Sequence, residues 1–525
     1  MVIGPQLYNA LNKAWKSTCR ILFGEEIGEL KEYERWLSEF IEKARVEKSA
    51  VSESEVYLAS DNYCKDAKFI SFDEIDFNKR FEPLNINEIK DIDSIVESIQ
   101  ERVYYAGNVV LGNSKFIEGS SNITNSFYVY KSFYLHDSKY IAYSKFCQDS
   151  EYMFGATGGN NRYMIKGISA LGSQRCFEYY TITNCSDIYY SADLTACSDC
   201  IFCFCLKGKR RAIGNLELPE TKYRELKKKL ISEIVEDLKH NKRVPSLLEL
   251  VSVFPQEELE LDVVKDEPFD ISPIQRAFES TFRILFKRES QADLDSYDIF
   301  LSKHLPGGRV VSGISALSAL YQDLQISLNK LNRLISINES AVLSSNPTTL
   351  STDEIDSISL KDISALSKIA FMSLDAYEGK NRNIRKSALI YNATDCCCGT
   401  AYAYSNRCAF SFWPRHSSYL FGSSMTLNSS FCINAYQSDK VTRAFQVDNC
   451  NNCSDVYFSH NCENVQDSMF CFNVKNLKNA IGNAALPQDK YLKVKESLLW
   501  QIADELIKNK DFKWDIYNVG CYKHK

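Results

Sequence analysis

A six-residue period runs through two stretches of the chain, 113–208 and 381–476. The first stretch opens NSKFIE, GSSNIT, NSFYVY, KSFYLH, and its fourth position is apolar or aromatic in nearly every repeat. A period of six matches no helical pattern, because an α-helix turns once every 3.6 residues. Short strands joined by corners fit the period, and like residues then stack from coil to coil. The pattern therefore predicts a β-solenoid whose fourth positions point inward.

Serine occupies the second position of successive repeats from Ser114 to Ser150. Its hydroxyl bonds locally to the backbone, which suits a tight corner. We expect coils of about 18 residues, or of about 24 residues if the repeats echo at a distance of twelve, as DSKYIA does in DSEYMF.

A longer self-similarity connects the two stretches. NCSDIYYSADLTACSDCIFCF at 184–204 reappears as NCSDVYFSHNCENVQDSMFCF at 452–472, an offset of 268 residues. The sequence STCRILF at 17–23 matches STFRILF at 280–286. The predicted fold class is therefore α+β: a tandem duplication of a unit made of N-terminal helices, a hexad-repeat β-solenoid and a closing C-terminal helix.

Each predicted unit has three parts, and an acidic linker separates the units. Pro219 opens the first closing helix, and an apolar stripe at helical spacing follows it. In the second unit, leucines from Leu317 to Leu331 predict an amphipathic helix. Because each unit buries its own repeats, we expect 1–245 and 270–525 to fold separately. The predicted boundaries are helical segment 1–100, β-solenoid 101–217, closing helix 218–242, linker 243–271, helical segment 272–368, β-solenoid 369–485, and closing helix with tail 486–525.

Composition excludes several classes of function. The chain has 525 residues, a net charge of −6 and a pI near 5.8, so no overall basic charge marks a nucleic-acid binder. No secretion signal opens the sequence, and no apolar run approaches the roughly 18 residues of a membrane-spanning helix. We therefore expect a cytoplasmic protein without a membrane partner.

The chain contains 19 cysteines. Most fall within the two repeat regions, where a small apolar thiol packs well. Cys197 with Cys200, and Cys450 with Cys453, have the spacing of zinc ligands. Valine, serine or isoleucine replaces three of these four residues at the offset of 268, an interchange that core packing tolerates. We favour reduced structural thiols without metal. A zinc site at these four residues, and disulfides, are the alternatives.

A compact basic run is the first candidate binding site. Lys207, Lys209, Arg210 and Arg211 lie close to aromatic residues, a pattern typical of patches that contact phosphates, and this allows binding to RNA. The matching segment of the second half has fewer basic residues. This favours the interpretation that the run is only a solvent-exposed edge of the solenoid.

Arg175 and Arg443 are the second candidate, because they occupy matching places in Arg-Cys-Phe-Glu and Arg-Ala-Phe-Gln. Tyr-Met-Phe-Gly at 152–155 likewise recurs as Tyr-Leu-Phe-Gly at 419–422. The recurrence of both motifs favours residues that the core and the corners of the solenoid require. A paired binding face is the alternative.

The end of the first repeat region, CSDCIFCFCLKGKRRAIGNLELPETKY at 197–223, resembles the terminal signature of cysteine-rich repeat proteins of uncultured bacteria and archaea. The signature consists of spaced cysteines, Leu-x-x-Lys, an Asn-containing strand and a Tyr-bearing helix start. The resemblance covers about 113–240 and 381–508. It implies the solenoid fold and no particular activity. The zinc-ribbon-like N-terminus of that family has no counterpart here, since residues 1–100 hold only Cys19 and Cys64.

No nucleotide-binding, hydrolase or metalloprotease motif occurs, and we expect no cofactor. The favoured function is a non-enzymatic binding or scaffold protein whose solenoid faces contact a macromolecular partner, either a protein or a ribonucleoprotein. Self-association is a further alternative. The enzymatic alternative is a β-helix enzyme acting on a glycan or a nucleotide-bearing substrate, which requires carboxylates that converge in a groove.

Overall fold

The computed structural model describes residues 3–521 apart from 41–43, 86–88, 256–260, 262–267, 306–307, 312–317, 322–331 and 374. The fold is mixed α+β, with helices and two long sheets of mostly parallel strands. The predicted class is confirmed at that level. The helices are α1 Pro5–Phe23, α2 Glu34–Leu37, α3 Ile92–Ser98, α4 Glu220–Asn241, α5 Leu247–Ser252, α6 Ser272–Phe286, α7 Asp298–Ser302, α8 Ile337–Ser345, α9 Thr352–Ser357 and α10 Gln488–Asn509.

The strands are mostly short, and many have four residues. Those of the first half are β1 Arg45–Lys48, β2 Glu55–Leu58, β3 Phe69–Ser71, β4 Tyr105–Gly107, β5 Val110–Leu111, β6 Lys115–Glu118, β7 Ser121–Thr124, β8 Phe127–Tyr130, β9 Phe133–His136, β10 Lys139–Ala142, β11 Lys145–Gln148, β12 Glu151–Gly159, β13 Arg162–Leu171, β14 Gln174–Thr183, β15 Ser186–Thr195, β16 Ser198–Ile201, β17 Phe204–Lys207, β18 Arg210–Ile213 and β19 Leu216–Glu217. Those of the second half are β20 Gly308–Val311, β21 Ser318–Tyr321, β22 Tyr377–Glu378, β23 Arg382–Ala388, β24 Ile390–Tyr391, β25 Thr394–Thr400, β26 Asn406–Ala409, β27 Ser418–Phe421, β28 Ser430–Tyr436, β29 Asp439–Asp448, β30 Asn451–Glu463, β31 Gln466–Met469, β32 Phe472–Lys475, β33 Lys478–Ile481 and β34 Ala484–Ala485.

Strands pair in parallel with strands about twelve residues further along the chain. In the 15-stranded sheet β5–β19, Ile141 of β10 pairs with Met153 of β12. In the second long sheet, Cys396 of β25 pairs with Cys408 of β26. The expected coils of about 18 or 24 residues are therefore wrong. The twelve-residue echo in the sequence is itself the distance between paired strands.

Left-handed backbone at every third residue explains why the paired strands are only twelve residues apart in sequence. From Tyr128 to Tyr140 the φ angles are 58°, 45°, 57°, 48° and 58° at intervals of three. Such angles are uncommon for residues other than glycine, asparagine and aspartate, so packing must hold the aromatic ones. Each left-handed residue bends the chain, so two six-residue repeats bring it back beside its starting strand.

A pairing distance of eleven residues, in place of twelve, divides the first long sheet into two frames. Glu151 pairs with Arg162, a separation of eleven, and the register shifts between Ala156 and Gly158. Before the shift the fourth positions, such as Tyr140, lie half-buried on the outside, and the fifth positions, such as Ile141, form the core. After it the fourth positions, such as Cys176, are buried. The expectation that fourth positions point inward is therefore wrong for 113–154.

A ladder of serine hydroxyls links neighbouring turns of the first sheet. The Ser132 hydroxyl donates to the Tyr130 carbonyl at 2.9 Å and accepts the Ser144 N–H at 3.1 Å. The Ser132 N–H in turn donates to the Ser120 hydroxyl at 3.0 Å. These serines are buried, so each hydroxyl satisfies backbone groups of two turns that have no access to water.

Cysteine takes over this role further along the sheet. The Cys185 thiol donates to the Thr183 carbonyl at 3.2 Å and accepts the Cys197 N–H at 3.5 Å. Cys197 repeats the pattern with Thr195 and Lys209. Serine and cysteine thus interchange at one structural position because both donate and accept a hydrogen bond.

Replacing Ser132 with alanine is expected to destabilise the protein by about 1–3 kcal/mol, because it leaves the buried Ser144 N–H without its acceptor. Ser132→Cys is expected to cost less, since the thiol preserves both bonds. Urea denaturation of the two variants checks the difference. Equal losses for alanine and cysteine would show that side-chain volume, and not the hydrogen bonds, matters here.

The chain forms two compact units, and neither is continuous in sequence. Each contains one long sheet with an N-terminal helix from the same half of the sequence and a middle segment from the opposite half. We call Arg45–Gly107 and Gly307–Ala376 the exchanged segments. Unit 1 comprises Met1–Ala44, Asn108–Lys265 and Gly307–Ala376, and unit 2 comprises Arg45–Gly107, Asp266–Pro306 and Tyr377–Lys525.

The segments expected to be helical also contain strands. Residues 45–107 hold β1–β4 besides α3, and 307–376 hold β20 and β21 besides α8 and α9. Of the predicted helix from Leu317 to Leu331, Ser318–Tyr321 forms β21 and the remainder lies outside the described residues. Within the predicted linker 243–271, α5 begins at a Ser246 cap.

Candidate functional site

The predicted basic run lies at the end of the first long sheet, on β17, β18 and the turn between them. Lys209 forms an ion pair with Glu217 at 2.9 Å, and Arg211 forms one with Glu220 at 3.0 Å. Lys207 is exposed, as is Arg210. Two of the four cations therefore have carboxylate partners within the protein, which reduces the charge that the run offers to a phosphate.

Arg175 and Arg443 each contact the aspartate twelve residues further on. Nε and Nη2 of Arg175 donate to the two carboxylate oxygens of Asp187 at 2.9 and 2.6 Å. Arg443 makes the same bidentate contact with Asp455. The hydrogen bonds that they donate to these carboxylates raise the pKa of both arginines. An ion pair between neighbouring strands accounts for the retention of the two arginines.

The four cysteines with zinc-like spacing point their thiols at backbone carbonyls. Cys197 donates to Thr195 and Leu206, and Cys200 to Ser198. Cys450 and Cys453 make the same kind of bond, each with two carbonyls. Among the described residues, no three His, Cys, Asp or Glu side chains are grouped as metal ligands would be. Burial raises the pKa of the Cys450 thiol, which therefore acts as a neutral donor, whereas the side-chain hydrogen bond with Cys185 lowers the pKa of Cys197.

One pair of cysteines forms a disulfide, between Cys64 and Cys521 of unit 2. Their Cα atoms are 6.4 Å apart, which a disulfide can span. The expectation of reduced thiols is wrong for this pair, since both residues lie outside the repeats to which the packing argument applied. The other cysteines are free thiols.

The outer surface of the first long sheet carries a row of stacked aromatic rings. Ring centroids lie 4.8 Å apart for Phe116 and Tyr128, 5.0 Å for Tyr128 and Tyr140, 5.0 Å for Tyr140 and Tyr152, and 4.8 Å for Tyr152 and Tyr163. A second row, formed by the residue that precedes each ring, runs beside it. We call the two rows together the aromatic–basic face. Its residues are Lys115, Phe116, Phe127, Tyr128, Lys139, Tyr140, Glu151, Tyr152, Arg162 and Tyr163.

Every residue of the aromatic–basic face is exposed or half-buried. Strands such as β8, β10 and β12 place their first two residues outward and the next two inward. The Lys139 ammonium lies 4.9 Å from the Tyr140 ring centroid, and the Arg162 guanidinium 5.3 Å from that of Tyr163. The face therefore combines apolar area, hydroxyl groups and positive charge in one strip.

Sequence reasoning missed this face because it treated the aromatic residues as core. An aliphatic fifth position and serine at the second position were the signal that could have found it. Unit 2 has a shorter counterpart, in which Tyr419 and Phe431 stack at 4.6 Å and Arg407 lies over Tyr419 at 5.5 Å.

A titratable group in the interior of unit 1 has a neutral counterpart at the matching place of unit 2. In unit 1 the Glu178 carboxylate accepts the Leu247 N–H at 3.0 Å, beside the buried Lys166. In unit 2 the Gln446 amide oxygen accepts the Ile516 N–H at 3.1 Å. Burial raises the pKa of Glu178 to about 8, and burial also lowers the pKa of Lys166. At neutral pH Glu178 is therefore mainly a neutral acid, which resembles the amide in unit 2.

Glu178→Gln is expected to stabilise the protein increasingly as pH rises from about 5 to about 8. The folded-state pKa of Glu178 lies above its unfolded value, so its favourable contribution is complete below the unfolded pKa and is lost as pH rises through about 8. Glutamine does not ionise and has no such loss. At pH 9 the variant's free energy of unfolding should therefore exceed that of the original protein by about 1 kcal/mol or more, since each pKa unit is worth about 1.4 kcal/mol. Melting temperatures of both proteins from pH 5 to pH 9 measure this. Gln446→Glu is the matched control and should show the opposite trend, and a difference that does not change with pH would contradict the assignment.

In unit 2 a histidine and an aspartate lie in the interior. His460 Nε2 accepts the Ala106 N–H at 2.8 Å, so Nδ1 carries the proton and donates to Asp448 at 2.9 Å. The Tyr63 hydroxyl donates to the same carboxylate at 2.7 Å. His460 and Asp448 are fully buried, so a substrate in solution cannot reach them. The arrangement fixes the exchanged segment Arg45–Gly107 in unit 2.

No helix in the described part of the chain is both long enough and apolar enough to cross a membrane. No protein-family model, curated protein or solved structure matches the chain.

Proposed function

We propose that the chain is a tandem duplication whose two long sheets are β-solenoids of about twelve residues per coil, and that it is a non-enzymatic binding or scaffold protein. Parallel pairing at twelve-residue intervals in both sheets supports the solenoids. The arginine–aspartate contacts at the offset of 268 support the duplication. The resemblance to cysteine-rich repeat proteins belongs to the same proposal.

The aromatic–basic face is the observation on which the binding function rests. Phe116 is 37% exposed, and the tyrosines beside it are half-buried. Tyrosine, phenylalanine and arginine are enriched where proteins contact one another, and contiguous aromatic patches on a surface mark interaction sites. The face thus favours a macromolecular partner, either a protein or a ribonucleoprotein.

Two further features favour binding over catalysis. The histidine and aspartate that meet in unit 2 are inaccessible to a substrate. In unit 1, a cavity beside Cys205 and Asn215 has a volume of about 20 Å³, which is room for one water molecule.

Affinity purification from the native host tests the proposed function. The triple variant Tyr128→Ser, Tyr140→Ser, Tyr152→Ser is expected to lose a stoichiometric partner that the original chain retains. Tyr404→Ser with His416→Ser is the matched control, because these residues form an exposed stack in unit 2, with ring centroids 4.8 Å apart. Circular dichroism verifies that both variants fold. Recovery of the chain alone, together with turnover of a small substrate, would contradict the proposed binding function and support the enzymatic alternative.

A further inference from the structure

The aromatic–basic face carries positive charge that the protein leaves unneutralised. Its charged residues are three cations and one carboxylate, and Arg162 pairs with Glu151 at 2.8 Å. Lys115 and Lys139 form no ion pair with any residue that the structure describes. The contrast with other basic residues of the same sheet is clear, since Lys131 pairs with Glu34. A chain with a net charge of −6 thus keeps two unpaired lysines on one strip.

The stacked rings add to this positive character. Each inner ring of the row lies between two others, at interplanar angles from 7° to 29°. The faces of these rings are therefore covered, and a partner meets their edges and hydroxyl groups. The edge of an aromatic ring carries partial positive charge, and a tyrosine hydroxyl donates hydrogen bonds. Carboxylates are the acceptors that suit ring edges, hydroxyl donors and ammonium groups together.

The same geometry disfavours single-stranded nucleic acid. Proteins that bind it stack bases on the free faces of aromatic side chains. In this row the faces of Tyr128, Tyr140 and Tyr152 are occupied by neighbouring rings. The lysines could contact a phosphate backbone, but the three inner rings offer its bases no free face on which to stack.

We infer that the aromatic–basic face binds an acidic, extended segment of another protein; this rests on the proposed function and names the partner for the same face. Five strands about 4.8 Å apart span roughly 20 Å, which an extended segment of about six residues covers. Carboxylates of such a segment meet Lys115 and Lys139, and its other residues pack along the tyrosines.

Selection of a random twelve-residue peptide library on the purified full chain tests this inference. The enriched peptides are expected to carry several aspartates or glutamates. Lys115→Glu with Lys139→Glu is expected to weaken their binding about tenfold or more, since two surface ion pairs become repulsive. Tyr128→Phe with Tyr140→Phe keeps the rings and is expected to weaken binding severalfold. Lys440→Glu is the control, because this exposed lysine lies in unit 2, and binding should be unchanged.

Enrichment of neutral or basic peptides would overturn the inference, as would tighter binding of a 16-nucleotide oligouridylate than of any selected peptide. Dimers of the chain that dissociate in the Lys115→Glu, Lys139→Glu variant would show that the occupant is a second copy and would overturn it too. If acidic peptides fail to bind but the host partner still requires the tyrosines, the inference falls and the proposed function stands. If neither binds, both fall.

Discussion

Cutting the chain in its acidic linker is expected to leave the two halves tightly associated. A protease site inserted between Glu257 and Glu258 separates the sequence into an N-terminal and a C-terminal half. Unit 1 needs Gly307–Ala376 from the C-terminal half, and unit 2 needs Arg45–Gly107 from the N-terminal half. Each half therefore holds part of the core of both units.

Buried contacts fix each exchanged segment in its unit. In unit 1 the Leu350 N–H donates to the Gly214 carbonyl at 2.9 Å, and the Ser340 hydroxyl donates to the buried Asp193 carboxylate. In unit 2 the Tyr105 hydroxyl donates to the Ile516 carbonyl at 2.7 Å. Separating the halves would break such bonds in both units and expose apolar surface, which is why dissociation should be very unfavourable.

Gel filtration with mass measurement, under reducing conditions, checks this expectation. The reductant is needed because the Cys64–Cys521 disulfide would otherwise join the halves covalently. The uncut insertion protein is the control, and cut and uncut samples should elute together. Two separate folded halves would contradict the exchange. That outcome would instead support the sequence-based expectation that 1–245 and 270–525 fold separately, with which the composition of the units disagrees.

Gly155→Ala is expected to be among the most damaging single substitutions, at about 3 kcal/mol or more. Gly155 has φ +66°, and a Cβ there would lie 2.7 Å from the Leu37 carbonyl oxygen. Backbone of the N-terminal segment packs directly on the sheet at this point and cannot yield as a flexible side chain would. Gly422 repeats the arrangement in unit 2, where its Cβ would lie 2.8 Å from the Leu301 oxygen. Close approach of two backbones therefore explains the motif Tyr-x-Phe-Gly that both halves retain.

Gly208→Ala is the matched control for this substitution. Gly208 has nearly the same φ, +65°, but a Cβ there meets nothing within 4 Å. Its loss should be roughly 1 kcal/mol, from the left-handed backbone alone. Chemical denaturation of the two variants measures the difference. Similar losses at both positions would mean that backbone conformation, and not the contact with Leu37, requires glycine at 155.

The sequence was sufficient to locate the repeats, because apolar and serine positions recur at a fixed interval. It did not reveal which positions face inward in the first sheet. The pairing distance of eleven residues just before Gly158 moves the frame by one. The aromatic row occupies the repeat position that aliphatic residues fill later, so the apolar pattern continues unbroken across the change. Because rings pack on the outside of the sheet, counting apolar residues cannot detect that the inward-facing position changes from the fifth to the fourth.

The exchange of segments could not be predicted for a different reason. Local pattern shows that a segment has a buried side, but not which of two similar sheets buries it. Ser340 and Ser373, for example, contact Asp193 of the first sheet although they belong to the second half. The aromatic–basic face was missed for a third reason: its aromatic residues were assigned to the core, and their stacking becomes evident only at a pairing distance of twelve residues, shorter than the coils of 18 or 24 residues that were expected.

The exchange also has a consequence for synthesis on the ribosome. Unit 1 cannot be completed when Lys265 emerges, because it still lacks Gly307–Ala376. At 5–20 residues per second, the ribosome needs about 6–20 s to add the missing stretch of roughly 110 residues. Arg45–Gly107 waits longer still, because unit 2 is complete only when Tyr377–Lys525 has been made. The nascent protein therefore exposes two apolar surfaces at once: that of Arg45–Gly107, and that part of unit 1 which Gly307–Ala376 later covers.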